Sequence, residues 1–178
     1  MEENGGVELT QSPETLTEDD VCVIQDTWRP VYENRENAGV AVLIRFFSNF
    51  PSAKQYFDQF RDMQDPEELK QSVQLKKHAM RVMTALNTMV ENLRDGDKLN
   101  TIFQQMGKSH ALKHKVDPLY FKILAGVILE VLVEAFPQCF SAASVQSAWS
   151  KLLGVLYWQM NKVYAEVGWD SIKNTSEC

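Results

Sequence analysis

The side chains of this 178-residue chain best suited to hold a metal are its three histidines, His78, His110 and His114. Two of them, His78 and His110, lie in segments whose apolar residues recur every three or four positions, which is the spacing of a buried helix face. Neutral imidazole is the most common metal ligand in proteins, and haem iron takes one or two such nitrogens as axial ligands. Two imidazoles on two buried helix faces therefore predict a haem pocket between the helices.

The spacing alone leaves other interpretations open. A histidine on an apolar helix face is more often a hydrogen-bonded core residue than a ligand. His110 and His114 are also four residues apart, as two zinc ligands on one helix would be. However, Ala111 stands where a zinc protease has its catalytic Glu, and no third ligand lies nearby in the sequence. These observations favour haem over zinc.

Composition and charge exclude several classes of function. The formal charge of −6 argues against a nucleic-acid partner, because such proteins need a basic face to offset phosphate repulsion. No run of about 18 apolar residues predicts a membrane span, and residues 1–14 have neither the basic nor the apolar part of a signal peptide. Glu2 follows the first Met, so N-myristoylation is not expected. These features predict a cytoplasmic protein.

Cysteine usage agrees with a reducing compartment. Cys22, Cys139 and Cys178 are an odd number with no CxxC spacing, which is a poor basis for a disulfide framework or a zinc site.

The periodicity predicts an all-α fold of about eight helices. Helices are expected to start at Thr17 and to cover about 36–50, 71–93, 118–136 and 144–166, with short helical pieces and loop over 52–71. The helix bearing His110 is expected to follow Asp97 and to end before Pro118. Pro30 should kink or shorten the end of the first helix, and Asp95-Gly96-Asp97 should form a turn. The predicted domains are a disordered arm at 1–16, a helical domain at 17–170 and a flexible tail at 171–178.

Three segments together resemble vertebrate globins: Phe50–Phe57, His78 with Val82 four residues later, and Gly107–Val116. The resemblance extends over about residues 17–170. Within that family the cytoglobin group is the most similar, through Arg45–Phe57 and His110–Val116. The globin fold, with helices packed pairwise at about 50° around a haem, is the fold this resemblance implies.

The resemblance also implies roles for individual residues. His110 corresponds to the proximal iron ligand, binding through Nε2 while its other nitrogen donates to a backbone carbonyl or to Ser109. His78 corresponds to the distal histidine, which in the cytoglobin group itself binds iron when no gas is present. The side chains expected to shape the pocket or to meet the haem propionates are Phe57, Leu43, Val82, Arg81 and His114.

The implied cofactor is one haem b, since the CxxCH signature of covalent attachment is missing. The implied ligands are O2, NO and CO. The implied activity is nitric oxide dioxygenation with an external reductant, such as ascorbate or a cytochrome b5 system. Nitrite reduction, peroxidase and superoxide chemistry are related reactions of the same group. The alternative is oxygen storage or sensing without turnover. With either function, a monomer or weak homodimer is expected.

One departure from the cytoglobin group concerns redox control. Two cysteines of mammalian cytoglobin, whose oxidation is linked to release of the distal histidine, correspond here to Arg35 and Met80. Control of His78 by a disulfide at these positions is therefore not expected.

Overall fold

The computed structural model describes the backbone of residues 13–175 and the side chains of residues 13–172. Within this range every regular element is helical, which confirms the all-α prediction. The elements in chain order are α1 (Glu18–Glu33), α2 (Arg35–Asn49), a 3-10 helix (Pro51–Tyr56), α3 (Pro66–Gln71), α4 (Val73–Glu91), α5 (Gly96–Lys108), a π-helical turn (Ser109–Lys113), α6 (Leu119–Ala135), α7 (Pro137–Phe140), α8 (Ala143–Glu166) and α9 (Trp169–Thr175).

Side-chain caps explain where several helices begin. The Thr17 hydroxyl accepts from the Asp20 backbone N–H at 3.0 Å, and the Asp20 carboxylate accepts from the Thr17 backbone N–H at 2.9 Å. This reciprocal capping box satisfies two of the donors that a helix start leaves unpaired. Ser72 caps α4 in the same way, through an acceptor contact of 3.2 Å with the Leu75 N–H.

One local prediction was wrong, and of the two effects predicted for Pro30 the shortening of its helix does not occur. The expected turn at 95–97 is the start of α5, because the Asp95 carboxylate accepts from the Lys98 N–H and draws Gly96 and Asp97 into the first helical turn. Helix α1 continues through Pro30 to Glu33. Burial of Trp28 and Val31 on its core face offsets the cost of the missing hydrogen bond.

Most of the predicted N-terminal arm and part of the predicted C-terminal tail lie outside the described residues. Residues 1–12 of the predicted arm and residues 176–178 of the predicted tail fall outside them. Residue 171, where the tail was expected to start, lies inside α9.

Two close helix crossings determine how the histidine-bearing helices sit. Helix α2 packs against α4, and a Cβ added to Gly39 would come within 3.1 Å of the Ala79 side chain, which neighbours His78. Helix α5 packs against α8, where a Cβ on Gly107 would come 2.6 Å from a Val163 methyl. The two histidine-bearing segments are thus held by different helices, α4 by α2 and α5 by α8.

Candidate functional site

The two buried-face histidines lie on segments that are supported separately. Helix α4, with His78, packs against α2 and α1, whereas α5, which leads into the π-helical turn with His110, packs against α8. Among the described residues, α4 makes no comparable packing contact with α5 or with the turn. We call the space between them the histidine cleft.

His78 is a neutral imidazole that has no hydrogen bond to any described residue. Burial, with smaller effects of the charges on Arg81, His110 and His114, lowers its pKa from 6.5 to about 4. Its ring meets the Phe57 ring edge to face at a centroid distance of 4.7 Å. No group within residues 13–172 forms a hydrogen bond with it. Neither of its ring nitrogens is among the fully buried, unpaired side-chain polar atoms of the described residues, so its lone-pair nitrogen is accessible to a ligand.

His110 is held in one orientation. Its Nδ1 lies 2.8 Å from the Met106 carbonyl oxygen, which can only accept, so Nδ1 donates. The tautomer assigned in this way leaves the lone pair on Nε2. Burial lowers the pKa of His110, so this ring is also neutral at physiological pH. Of the two predicted acceptors, the backbone carbonyl rather than Ser109 is the partner.

The turn that carries His110 is irregular, and hydrogen bonds hold it in place. Residues Ser109–Lys113 form a π-helical turn, an element that is frequent at functional sites. The chain then reverses at Lys115, whose φ of 54° is in the left-handed region. The Val116 N–H donates to the His110 carbonyl at 2.9 Å, and the buried Tyr164 hydroxyl donates to the Val116 carbonyl at 2.6 Å.

The other predicted site residues fall into three environments. Phe57 and Val82 are partly buried and pack against the hydrophobic core. Leu43 is 1% exposed and packed within the core, so its contacts in this structure are with protein. Arg81 and His114 are exposed. The His114 ring lies 5.8 Å from the His110 ring, at the rim of the turn.

Sequence reasoning missed two aromatic residues that support the cleft. The Phe121 ring packs edge to face on the His110 ring at 5.1 Å. Tyr56 accepts a hydrogen bond from the Asp117 N–H, next to Val116. Phe121 follows Pro118 at the start of a helix and could have been found from its position one turn into an apolar helix. No sequence pattern signals the contact of Tyr56, because it joins segments about sixty residues apart.

The donor set fits haem better than zinc. Two neutral imidazoles on separately supported segments would suit haem iron, which takes one or two such nitrogens. The rings of Phe57 and Phe121 beside them would offer apolar contacts to a porphyrin. Among the described residues, no cluster of three or more His, Cys, Asp or Glu side chains is arranged to hold a metal ion. His110 and His114 thus gain no third protein ligand there.

The positions of the mammalian redox cysteines are neighbours in space. Arg35 and Met80 line the same surface pocket of about 390 Å³, between the start of α2 and α4. The Arg35 guanidinium lies 4.7 Å from the Tyr32 ring centroid. Cys22 and Cys139 are free thiols, and Cys178 lies outside the described residues. Neither described thiol stands at the α2–α4 contact.

Comparison with known proteins shows a globin relationship along almost the whole chain. The family model described as Globin matches residues 40–160. Cytoglobin-1 of Danio rerio is 77% identical over 173 residues, covering 97% of this chain and 99% of that protein. Cytoglobin-2 of Danio rerio is 53% identical over 98% of this chain and 97% of its own length. Globin-1 of Petromyzon marinus is 34% identical over 66% of this chain and 79% of its own length.

In the part of the chain that the structure describes, no helix is long and apolar enough to cross a bilayer.

Proposed function

This chain belongs to the globin family, and we propose that it is a six-coordinate haem b globin that converts nitric oxide to nitrate. Haem binding and the binding of diatomic gases follow from its family membership. The proposal concerns the ligands, the type of haem and the reaction.

His110 and His78 are the proposed axial ligands. The observation that carries this assignment is the pair of neutral imidazoles, one fixed by the Met106 carbonyl with Nε2 free and the other without a hydrogen bond among residues 13–172. A carbonyl that accepts the Nδ1 proton raises the basicity of a metal-binding imidazole. Phe57, Leu43 and Val82 are the proposed pocket residues. Arg81 and His114 are the proposed partners of the haem propionates, because both are exposed cations or potential cations near the two imidazoles.

The proposed reaction is NO + O2 + e⁻ → NO3⁻, with the electron supplied by an external donor. Haem iron, when bound, supplies the site where the gases meet and the one-electron redox chemistry. The chain itself would supply His78, whose ring N–H could donate to a partly negative gas ligand in the cleft. The apolar surroundings of His78 strengthen such a hydrogen bond, because few competing dipoles are nearby.

Oxygen storage or sensing is the second candidate. It is supported by the family relationship alone, since storage globins share the fold and the proximal histidine. A histidine that must leave before gas binds lowers the apparent affinity by the fraction of open state. This cost argues against storage and favours a function in which access to the iron is regulated.

A spectrum of the reduced, gas-free protein tests the proposal first. Two histidine ligands should give sharp, split visible bands, whereas a single broad band would show five-coordinate iron and refute the role of His78. Release of the haem by acid extraction, with the spectrum of haem b, tests the cofactor. Ferrous protein supplied with O2 and NO should then give one nitrate per haem, and nitrite as the main product would refute the reaction.

A further inference from the structure

The 3-10 helix Pro51–Tyr56 lies between the two histidine-bearing segments. At its end, Phe57 places its ring against His78 at 4.7 Å, and it also packs on Phe47 and Phe60. The Phe57 backbone is fixed by its N–H, which donates to the Lys54 carbonyl at 2.9 Å. Movement of this short helix would therefore move the ring that supports His78.

The preceding residue, Tyr56, points to the opposite segment. Its hydroxyl accepts from the backbone N–H of Asp117 at 3.2 Å. Asp117 follows Val116, whose N–H is bonded to the His110 carbonyl. Burial raises the pKa of Tyr56, so its hydroxyl stays protonated at physiological pH. Two adjacent residues, Tyr56 and Phe57, thus contact the two imidazole segments, one on each side.

A second hydroxyl contact nearby provides a comparison. The hydroxyls of Ser52 and Tyr120 share a hydrogen bond of 2.6 Å, which ties the same 3-10 helix to α6. The Tyr56 and Tyr120 rings pack edge to face at 5.5 Å. Tyr120 therefore anchors the helix without contacting residues 114–117 through its hydroxyl.

We propose that Tyr56 is a positioning residue that couples the two imidazoles, because its hydroxyl joins the segment supporting His78 to the loop that closes the His110 turn. The inference rests on the proposed function in assigning both imidazoles to one haem. With the tie in place, displacement of His78 and Phe57 pulls on residues 116–117 and so on the His110 turn. Without it, the two sides move independently. Tyr164 acts on the same loop from α8, through the Val116 carbonyl.

The test uses Tyr56→Phe, which keeps the ring and removes only the hydroxyl, with Tyr120→Phe as the matched control. In the haem-loaded protein, Tyr56→Phe should raise the rate of His78 release, measured by CO rebinding after photolysis, by roughly two- to tenfold, the range that one neutral hydrogen bond supports. It should also shift the iron–histidine stretching band of the CO-photolysed ferrous protein, which reports on His110. Tyr120→Phe should leave that band unchanged.

A double-mutant cycle separates coupling from general loosening. Tyr164→Phe frees the 114–117 loop on the proximal side and should change the His78 release rate in the parent protein. In the Tyr56→Phe background the same substitution should have no further effect, because the connection is already cut. Additive effects would overturn the coupling, and so would an unchanged iron–histidine band in Tyr56→Phe.

Hydrogen exchange in the haem-free protein tests the tie itself. The Asp117 amide should exchange faster in Tyr56→Phe than in the parent or in Tyr120→Phe, because its acceptor is lost. Equal exchange rates would overturn the inference. A five-coordinate ferrous parent protein would instead refute the proposed role of His78, and the coupling with it, while the exchange experiment would still report whether Tyr56 holds the loop.

Discussion

His78 differs from an ordinary core histidine in having no hydrogen bond among residues 13–172. A core histidine usually keeps at least one ring nitrogen paired, because an unpaired buried polar group loses its hydration without compensation. His110 shows the usual pattern at one nitrogen only, through the Met106 carbonyl. Each of the two rings keeps a lone-pair nitrogen without a partner among the described residues, and haem iron takes up to two such nitrogens.

Replacement of His78 tests this arrangement at the residue scale. His78→Leu keeps an apolar side chain beside Phe57 and removes the competing ligand, so the ferrous iron should become five-coordinate. If the open state is a minor one, apparent CO affinity should rise by roughly 10- to 100-fold, as measured by CO titration and stopped flow.

Thr84→Ala is the matched control, since Thr84 is an exposed residue of the same helix α4 and its side chain forms no hydrogen bond among the described residues. It should leave the gas-free spectrum and the CO affinity unchanged. An unaltered six-coordinate spectrum in His78→Leu would mean that another side chain is the sixth ligand.

At the scale of elements, the position of His110 depends on how closely α5 approaches α8. Gly107 lies three residues before His110, and the missing Cβ is what allows contact with Val163, which is fully buried. The close approach of α5 to α8, and with it the position of the π-helical turn next to α8, therefore depends on the contact between Gly107 and Val163.

Gly107→Ala should destabilise the protein by about 1–3 kcal/mol, because the added methyl overlaps Val163 and forces α5 away from α8. Denaturant unfolding of the haem-free protein measures this loss, and faster haem loss to an excess of acceptor apoglobin would show that His110 moves. Gly154→Ala in α8 is the control, since its Cβ would meet nothing within 4 Å. That substitution should stabilise the helix by about 0.5–1 kcal/mol. Equal effects of the two substitutions would show that the α5–α8 approach is not tight.

The elements could be predicted from the sequence where the signal is local. Apolar periodicity located the long helices, and Thr17 and Ser72 marked two of their starts. The continuation of α1 through Pro30 depends on the burial of Trp28 and Val31, which is a tertiary effect. The π-helical turn has no sequence pattern of its own, and the contacts of Tyr56 and Tyr164 join distant segments. The two imidazoles, a carbonyl acceptor for His110 and the position of Phe57 were therefore predictable, but the contacts of Tyr56, Phe121 and Tyr164 were not.

The contact between the start of α2 and α4 determines whether thiol chemistry can act on His78. Arg35 and Met80 share a surface pocket, so cysteines at both positions would be near each other, and neither residue can form a disulfide. We expect the His78 release rate in the parent protein to be unchanged by a disulfide-specific reductant. CO-binding kinetics with and without the reductant measure this.

The double variant Arg35→Cys with Met80→Cys is the positive control for that experiment. Once its disulfide is verified by mass, reduction should alter the CO-binding rate, because the bond joins α2 to the helix that carries His78. A reductant effect in the parent protein would contradict the expectation and would point to Cys22, Cys139 or Cys178.

At the scale of the whole molecule, the proposed reaction makes the protein dependent on a donor. Each nitrate formed requires one electron, and a globin domain binds the haem without carrying a reductant of its own. The chain has a formal charge of −6. Exposed cations nevertheless lie near both imidazoles: Lys77 and Arg81 on α4, and Lys113 and Lys115 near His110. A catalyst needs one electron in every cycle, whereas a storage protein needs none. The rate of electron delivery to the protein should therefore distinguish the two functions.

Sustained turnover is the decisive measurement for that distinction. With O2, NO and either ascorbate or a cytochrome b5 system, the protein should consume many equivalents of NO per haem and release an equal amount of nitrate. Because the electron enters once per cycle, the rate should rise with the concentration of the donor and should be unaffected by O2 well above its binding constant. Donor without protein, and protein without donor, are the controls, the second giving a single equivalent. Consumption that stops after one equivalent, with ferric protein reduced over many minutes, would refute the dioxygenase function and leave oxygen storage or sensing as the activity of the site.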